Sequence, residues 1–227
     1  MCWQISREPF SGRVFLDSLE SLKSVASRPS QLAIFEREKP AEADPFFASM
    51  ASISFGIAGE VNKGDTLADI EFLLEESLSI DVQRDPFYKL WLKDMAQVCS
   101  LFCEVEQSES IQMWIGSRRG CRRYHVDNVP RRLLVTYDGC GTEWLADDAA
   151  DRDAFAKGEP NDKILKDPSG KKFMGEWDIS IFRGGGTGLL HRTPDDALKG
   201  HSILMRLDNN EFGDTVYWPE QSAEQLV

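Results

Sequence analysis

Long hydrophobic runs are missing from this 227-residue sequence. Its longest apolar stretches, such as residues 53–58 and 203–205, fall far short of the roughly 18–20 residues that a membrane-spanning helix needs, so no segment is expected to cross a bilayer. Histidine is scarce, with three in the chain, which confines any imidazole-based site to His125, His191 and His201. Cysteine is sparse and poorly spaced: Cys2, Cys99, Cys103, Cys121 and Cys140 are odd in number and scattered, which excludes a disulfide framework from the expectation and leaves them as thiols. The first ten residues, MCWQISREPF, hold no apolar core of the about 7–15 residues that a secretory signal carries, and a cytoplasmic location follows as the default expectation. Net positive charge is also lacking. A formal charge of −12 repels phosphate backbones and anionic membrane surfaces, so neither nucleic acid nor a membrane is an expected partner.

What is present is an ordinary globular composition, 41% apolar and 28% charged, long enough to bury a core without staples. In the first half, residues 13–28 place Val14, Leu16, Leu19, Leu22 and Val25 at mostly three-residue steps, which predicts an amphipathic helix. QLAIF (residues 31–35) and residues 53–61 read as strands, and residues 46–51 as a short helix. Asp65 is an N-cap candidate for a helix over residues 65–79, and a longer helix is expected over residues 85–105, where Cys99 and Cys103 share an apolar face.

From residue 111 the pattern changes to short β-rich runs: IQMWIG, RRLLVTY, DISIF, GLLH and HSILMRL, separated by Gly, Pro and Asp. They recur without the 10- to 15-residue helices of a parallel α/β sheet. The expected fold class is therefore α+β, with a C-terminal double-stranded β-helix of jelly-roll or cupin type and N-terminal flanking helices. Residues 1–110 form the mainly helical part and residues 111–227 the β-rich part, in one continuous structural unit. The polar segment 147–170 reads as a long loop or lid.

The residues that carry chemistry gather around YHVD. Strand alternation would put His125 and Asp127 on one face. His191 follows 66 residues later at the end of a strand-like LL. Two imidazoles and one carboxylate form the facial set that suits Fe(II) and leaves open positions for a co-substrate and O2. Around this motif the acidic chain concentrates Arg118, Arg119, Arg122, Arg123, Arg131 and Arg132. They form either a solvated face that pairs with the many acidic residues or a site for a small anionic ligand. Cys121 and Cys140 flank the motif, and with His125 and Asp127 they are an alternative set for Zn(II). Tyr124, Thr136, Tyr137 and Trp144 are candidates to line a pocket, Thr136 and Tyr137 to orient a co-substrate carboxylate, although strand aromatics are first of all core formers. RGGGTG (residues 183–188) lacks the Lys-Ser/Thr of a phosphate-binding loop and reads as a turn delivering the His191 strand.

Over residues 120–208 the order of HxD, RRLLVTY, GTEW, DISIFRG, a distal histidine and an Arg-bearing strand resembles the Fe(II)/2-oxoglutarate oxygenase pattern. That resemblance implies Fe(II) on His125, Asp127 and His191, and an arginine on the strand after the distal histidine that grips the far carboxylate of 2-oxoglutarate. Arg206 is the candidate. In many such enzymes the arginine lies about ten residues after the histidine, a position taken here by His201, so either Arg206 substitutes or 2-oxoglutarate is not used. His201 is then a further ligand, an acid/base group, or a surface residue at a strand start. RRYHVDNVPRRLLVTYDGCGTEWL and LLHRTPDDALKGHSILMRLD are similar to a bacterial family of domains of unknown function, the one numbered 1826, which implies a fold relationship. Three readings follow: an Fe(II) oxygenase acting on an anionic small molecule, a non-catalytic cupin-like protein holding Zn(II) or a small anion, and a β-fold that acts through protein contacts.

Overall fold

The computed structural model describes residues 13–27 and 30–215. Cys2, Arg28 and the N-terminal stretch on which the export reading rests lie outside these residues. The chain runs through β1 (Arg13–Phe15), a 3-10 helix (Leu19–Ser27), β2 (Leu32–Phe35), α1 (Ala43–Ser49), β3 (Gly56–Asn62), α2 (Thr66–Glu75), α3 (Ile80–Arg84) and α4 (Pro86–Glu106). There follow β4 (Ser110–Gly116), β5 (Arg131–Asp138), β6 (Glu143–Leu145), α5 (Arg152–Ala156), α6 (Asn161–Ile164), β7 (Lys171–Phe173), β8 (Ile179–Arg183), β9 (His191–Arg192), α7 (Asp195–Lys199) and β10 (Ile203–Asn209).

Local chemistry explains most of these boundaries. At the start of α4, the Asp85 carboxylate accepts from the Phe87 amide at 2.8 Å and Pro86 takes the first turn, where its missing N–H costs nothing. Gln107, in the left-handed conformation at φ 53°, closes the other end. Asp65 stands at the N-cap position of α2 without a side-chain capping bond. The helix expected over residues 13–28 is corrected to a strand followed by a 3-10 helix. Leu16, Leu19, Leu22 and Val25 recur every three residues, and three per turn is the 3-10 repeat, so a strict three-residue step keeps them on one face. Segment 147–170 is also not a bare loop: it holds α5, α6 and two short 3-10 helices, and Ile164 with Ala150 packs beneath it against Tyr124, Leu145 and Leu190.

Seven strands form one sheet in the order β1-β2-β8-β5-β10-β4-β3, and three form a second in the order β7-β6-β9. Pairing is antiparallel throughout except for β1 with β2. The protein is thus α+β, with a large, mostly antiparallel sheet. Strands from the first 62 residues do not stay with the helices: β1 and β2 form one edge of the large sheet and β3 the other. Among the described residues no helix is long and apolar enough to cross a membrane.

Alternation divides the large sheet into two faces. Ala33, Ile57, Ile111, Met113, Ile115, Leu133, Val135, Tyr137, Ile179, Ile181, Ile203, Met205 and Leu207 face the helices and join one core. That core centres on Trp91 of α4, fully buried, with Phe47 at 5.4 Å and Tyr137 at 5.9 Å between ring centroids. The opposite face offers Leu32, Ile34, Leu134 and Phe182 to Trp144, Met174 and Leu189, a smaller core between the two sheets. Cys99 and Cys103 lie buried in α4 as apolar packing groups, and burial pushes both thiols above their ordinary pKa.

Because both edges of the large sheet come from the N-terminal part, residues 111–227 expressed alone are expected to lack a cooperative thermal transition and a near-UV circular dichroism signal. A sharp transition in that fragment would show that the two parts are separable domains.

Candidate metal centre

His125 and His191 face each other because their backbones pair. The His125 amide donates to the His191 carbonyl and the His191 amide to the His125 carbonyl, each at 3.0 Å, an isolated antiparallel bridge. Such reciprocal pairs bring the two side chains to one side at close range, and the rings stand 4.4 Å apart. His191 is also held from its other side, since β9 pairs with β6 in the register Trp144↔His191.

Asp127 joins them two residues beyond His125. Its buried Oδ2 lies 3.4 Å from His191 Nε2, and its Oδ1 lies 3.9 Å from His125 Nε2. The three ligand atoms fall within 4.8 Å of one another, and among the described residues no other group of three His, Cys, Asp or Glu is so arranged. The glycine-rich turn fixes this loop from behind. The Gly185 amide, at φ +80°, donates to the Asp127 carbonyl at 2.9 Å. A Cβ on Gly184 would collide with the carbonyl oxygens of Val129 and Asp127, so only glycine fits there.

Both imidazoles are oriented by their own backbone. His125 Nδ1 lies 3.0 Å from the Arg123 carbonyl and His191 Nδ1 lies 3.0 Å from the Leu189 carbonyl. A carbonyl only accepts, so each Nδ1 carries the proton and donates. Each Nε2 is then turned toward Asp127, whose Oδ2 has no hydrogen-bond partner although it is buried. Two imidazole nitrogens and a carboxylate oxygen converging in this way need a cation between them, a proton or a metal ion.

Asp127 is anchored by Arg132 on β5. Arg132 Nη1 donates to Asp127 Oδ1, and Arg132 Nε donates to Asp208 Oδ1 of β10 at 2.7 Å. Burial alone would raise the Asp127 pKa, but the charges of His191, Arg132, His125 and Arg206 outweigh it and hold the carboxyl below its ordinary value. A cavity of about 70 Å³ opens beside the histidines, lined by Trp114, Arg119, Cys121, Thr142 and Arg206 among others.

Not every expected residue reaches this place. Arg206 does: it lines the cavity, with its guanidinium 5.9 Å from the Trp114 ring and its Nε 3.1 Å from Asp208 Oδ2. Thr136 lies on the same sheet face but does not line the cavity. Tyr137 is corrected: consecutive strand residues point to opposite faces, so it enters the helix-side core, where its hydroxyl donates to Asp94 at 2.8 Å. His201 also lies off the cavity, with Nδ1 at 2.7 Å from Asp138 Oδ2. Of the zinc alternative, Cys121 lines the cavity, where the neighbouring His125 lowers its thiol pKa. Cys140 does not. Tyr124 donates to buried Glu143, which also receives Arg192 at 2.9 Å.

The arginine-rich stretch divides. Arg131 turns to Glu106 on the helix side, Arg123 donates to the Glu159 carbonyl, and Arg119 and Arg132 face the cavity. The anchoring role of Arg132 was missed in the sequence. Its signal was the strand alternation that puts it on the face of Leu134, across from Asp208.

Fold and site together define an α+β protein with a His-Asp-His cluster held between two β-sheets. Residues 17–208 match the family described as Protein of unknown function (DUF1826), and the chain belongs to that family. A search of the curated proteins finds no match. Among solved structures, a full-length Neurospora crassa protein in complex with alpha-KG and 5-formyluracil is similar at 9% identity and a TM-score of 0.42, covering 90% of this chain and 86% of that one. A bsmA homolog from Methylobium petroleophilum PM1 is similar at 11% identity and TM-score 0.36, covering 85% and 87%. The Fe(II)/(alpha)ketoglutarate-dependent dioxygenase TqaL is similar at 11% and 0.35, covering 84% and 73%.

The depressed pKa of Asp127 has a definite consequence for the metal-free protein. A carboxyl lowered by folding stabilises the fold above its unfolded pKa, near 3.9, and that stability is lost as pH falls through the lower folded value. Asp127→Asn is expected to cost about 3 kcal/mol at pH 7, because it leaves part of a buried ion network unpaired, and to flatten the acid limb of the stability profile. Chemical denaturation from pH 7 to pH 3 measures both; parallel acid limbs in the two proteins would show that Asp127 is not ionised in the fold.

Proposed function

We propose that His125, Asp127 and His191 bind one Fe(II), and that the protein is a mononuclear oxygenase that uses 2-oxoglutarate and acts on a small anionic molecule. In this reading the seven- and three-stranded sheets are the two sheets of a double-stranded β-helix, with the metal between them. The observation that carries it is the orientation of the two histidines. Both Nδ1 protons are committed to backbone carbonyls, and both Nε2 atoms turn to the buried Asp127 carboxylate, whose Oδ2, on the His191 side, has no hydrogen-bond partner. That donor set, two neutral imidazoles and one carboxylate on one side, suits Fe(II) and leaves adjoining positions open.

Bound there, iron would supply the oxygen chemistry. The chain's own residues do the rest. The backbone carbonyls of Arg123 and Leu189 hold each Nδ1 and so aim each Nε2 inward. Arg132 occupies Oδ1 of Asp127 and so leaves Oδ2 as the donor, which favours a monodentate carboxylate. Trp114, Leu134 and Leu204 give the cavity apolar walls, and Arg119 and Arg206 make it positive, an environment for an acid with a short apolar stem.

A second reading, a non-catalytic cupin-like protein that holds Zn(II), draws on Cys121, whose lowered thiol pKa beside His125 suits a soft ligand. Metal analysis separates the two. Protein prepared anaerobically with Fe(II) and Zn(II) offered together is expected to hold about one iron per chain, and the His125→Ala/His191→Ala double variant to hold none while keeping its far-UV spectrum. Loss of one ligand should weaken binding beyond the roughly 10- to 100-fold that outer partners command. Iron-loaded protein is then expected to convert 2-oxoglutarate to succinate, slowly without its substrate. Zinc retained in preference to iron, lost on Cys121→Ser, would support the second reading, and absence of any metal from wild type would defeat both.

A further inference from the structure

Five arginines line the cavity beside the histidines: Arg118, Arg119, Arg132, Arg192 and Arg206. Three are matched by carboxylates. Arg132 pairs with Asp127 and Asp208, Arg206 stands 3.1 Å from Asp208, and Arg192 reaches Glu143 at 2.9 Å and Asp195 at 3.3 Å. Arg118 is exposed and donates to Ser54 at 3.1 Å.

Arg119 is the exception. Its Nη1 donates to Ser202 Oγ at 2.8 Å and to the Cys140 carbonyl at 3.3 Å, and its Nη2 to Thr142 Oγ1 at 3.3 Å. All three acceptors are neutral. Its Nε is buried with no hydrogen-bond partner, and among the described residues no carboxylate forms an ion pair with it. Desolvation lowers its pKa only to about 10, so it is a cation at neutral pH. A sheltered guanidinium held by dipoles alone carries an uncompensated desolvation cost. Neutral acceptors fix its plane without cancelling its charge, and a planar fork so fixed is complementary to a carboxylate.

We propose that Arg119 is the carboxylate anchor of this cavity, and that the ligand it takes is a small aliphatic acid whose other end points at the His-Asp-His cluster. The second half of this statement rests on the metal reading above; the first does not. Arg206, the residue that sequence order favoured, shares Asp208 with Arg132 and has its charge already offset. The cavity is small, about 70 Å³, which suits a short acid and not a polymer. Arg119 lies on the loop after β4, between the strand that carries Trp114 and the HxD motif.

Succinate is the probe for the anchor, since it has two carboxylates and no 2-oxo group with which to chelate a metal. Calorimetric titration of metal-free full-length protein with succinate is expected to give binding that weakens at least tenfold in Arg119→Gln, more than in Arg206→Gln, and changes less than threefold in Arg123→Gln, an arginine of the same stretch that lies off the cavity. Arg119→Lys, which keeps the charge and loses the fork, should fall between wild type and Arg119→Gln. Thermal melts of each variant identify loss of fold, which a purely structural arginine would cause without a selective change in succinate affinity at temperatures where the protein remains folded. Succinate affinity unchanged in Arg119→Gln, or absent from folded wild type at millimolar concentration, overturns the proposal. A parallel titration of the iron-loaded protein with 2-oxoglutarate keeps the two ideas apart: tight binding insensitive to Arg119→Gln would defeat the anchor and leave the oxygenase reading intact. Arg119-dependent succinate binding in a protein that holds no metal would do the reverse.

Discussion

Two backbone hydrogen bonds, between His125 and His191, are the constraint on which the site depends. They join the loop that follows β4 to the two-residue strand β9 and, with the Thr193 amide donating to the Cys121 carbonyl at 3.0 Å, set the register of the HxD segment relative to the distal histidine. The neighbouring constraints converge on the same point. Trp144 of β6 holds His191 from its other side, Phe182 of β8 packs on the His191 ring at 4.8 Å between centroids, and the glycine turn holds the carbonyl of Asp127. Apart from Phe182 with His191, these contacts join segments far apart in sequence, so the cluster forms only when both sheets are assembled.

Charge is arranged around that point with an economy that the overall composition hides. The chain carries −12, yet its interior alternates cation and anion along Asp127, Arg132, Asp208 and Arg206. Buried pairs of this kind add little net stability, because desolvation offsets most of the Coulomb attraction. Their effect is positional. Arg132 spans from β5 to the loop and to β10, and so fixes which oxygen of Asp127 faces the histidines. The Tyr124, Glu143 and Arg192 cluster does the same one strand further out, tying β6 to β9 beneath α5 and α6.

How much of this was readable from residues alone depended on the range of the forces concerned. Helix α4 was legible because its signals are local: an Asp-Pro start and an apolar stripe over 21 residues. The strands of the second half were legible from period-two runs between turn residues. The first helix was misread since the choice between 3.0 and 3.6 residues per turn rests on the packing of Leu22 and Val25 under α4, which spacing hints at but does not decide. His125, Asp127 and His191 could be picked out because histidine is so scarce. The face that Arg132 takes could be read from strand alternation, but its pairing with Asp127 and Asp208 could not, nor could the neutral surroundings of Arg119, since these are made by tertiary contacts.

Thr136 and Tyr137 carry the more general lesson. Both look like pocket residues in RRLLVTY, but a strand in a two-faced sheet assigns neighbours to different environments. One face of β5 gives Leu133, Val135 and Tyr137 to the helix-side core around Trp91, and the other gives Arg132 and Leu134 to the cavity. Stability and chemistry are thereby placed on opposite sides of one strand, joined rigidly through its backbone. A substitution at Tyr137 therefore acts on the site only by moving β5, and any effect on the cluster must pass through Arg132, whose hydrogen bonds define the orientation of Asp127.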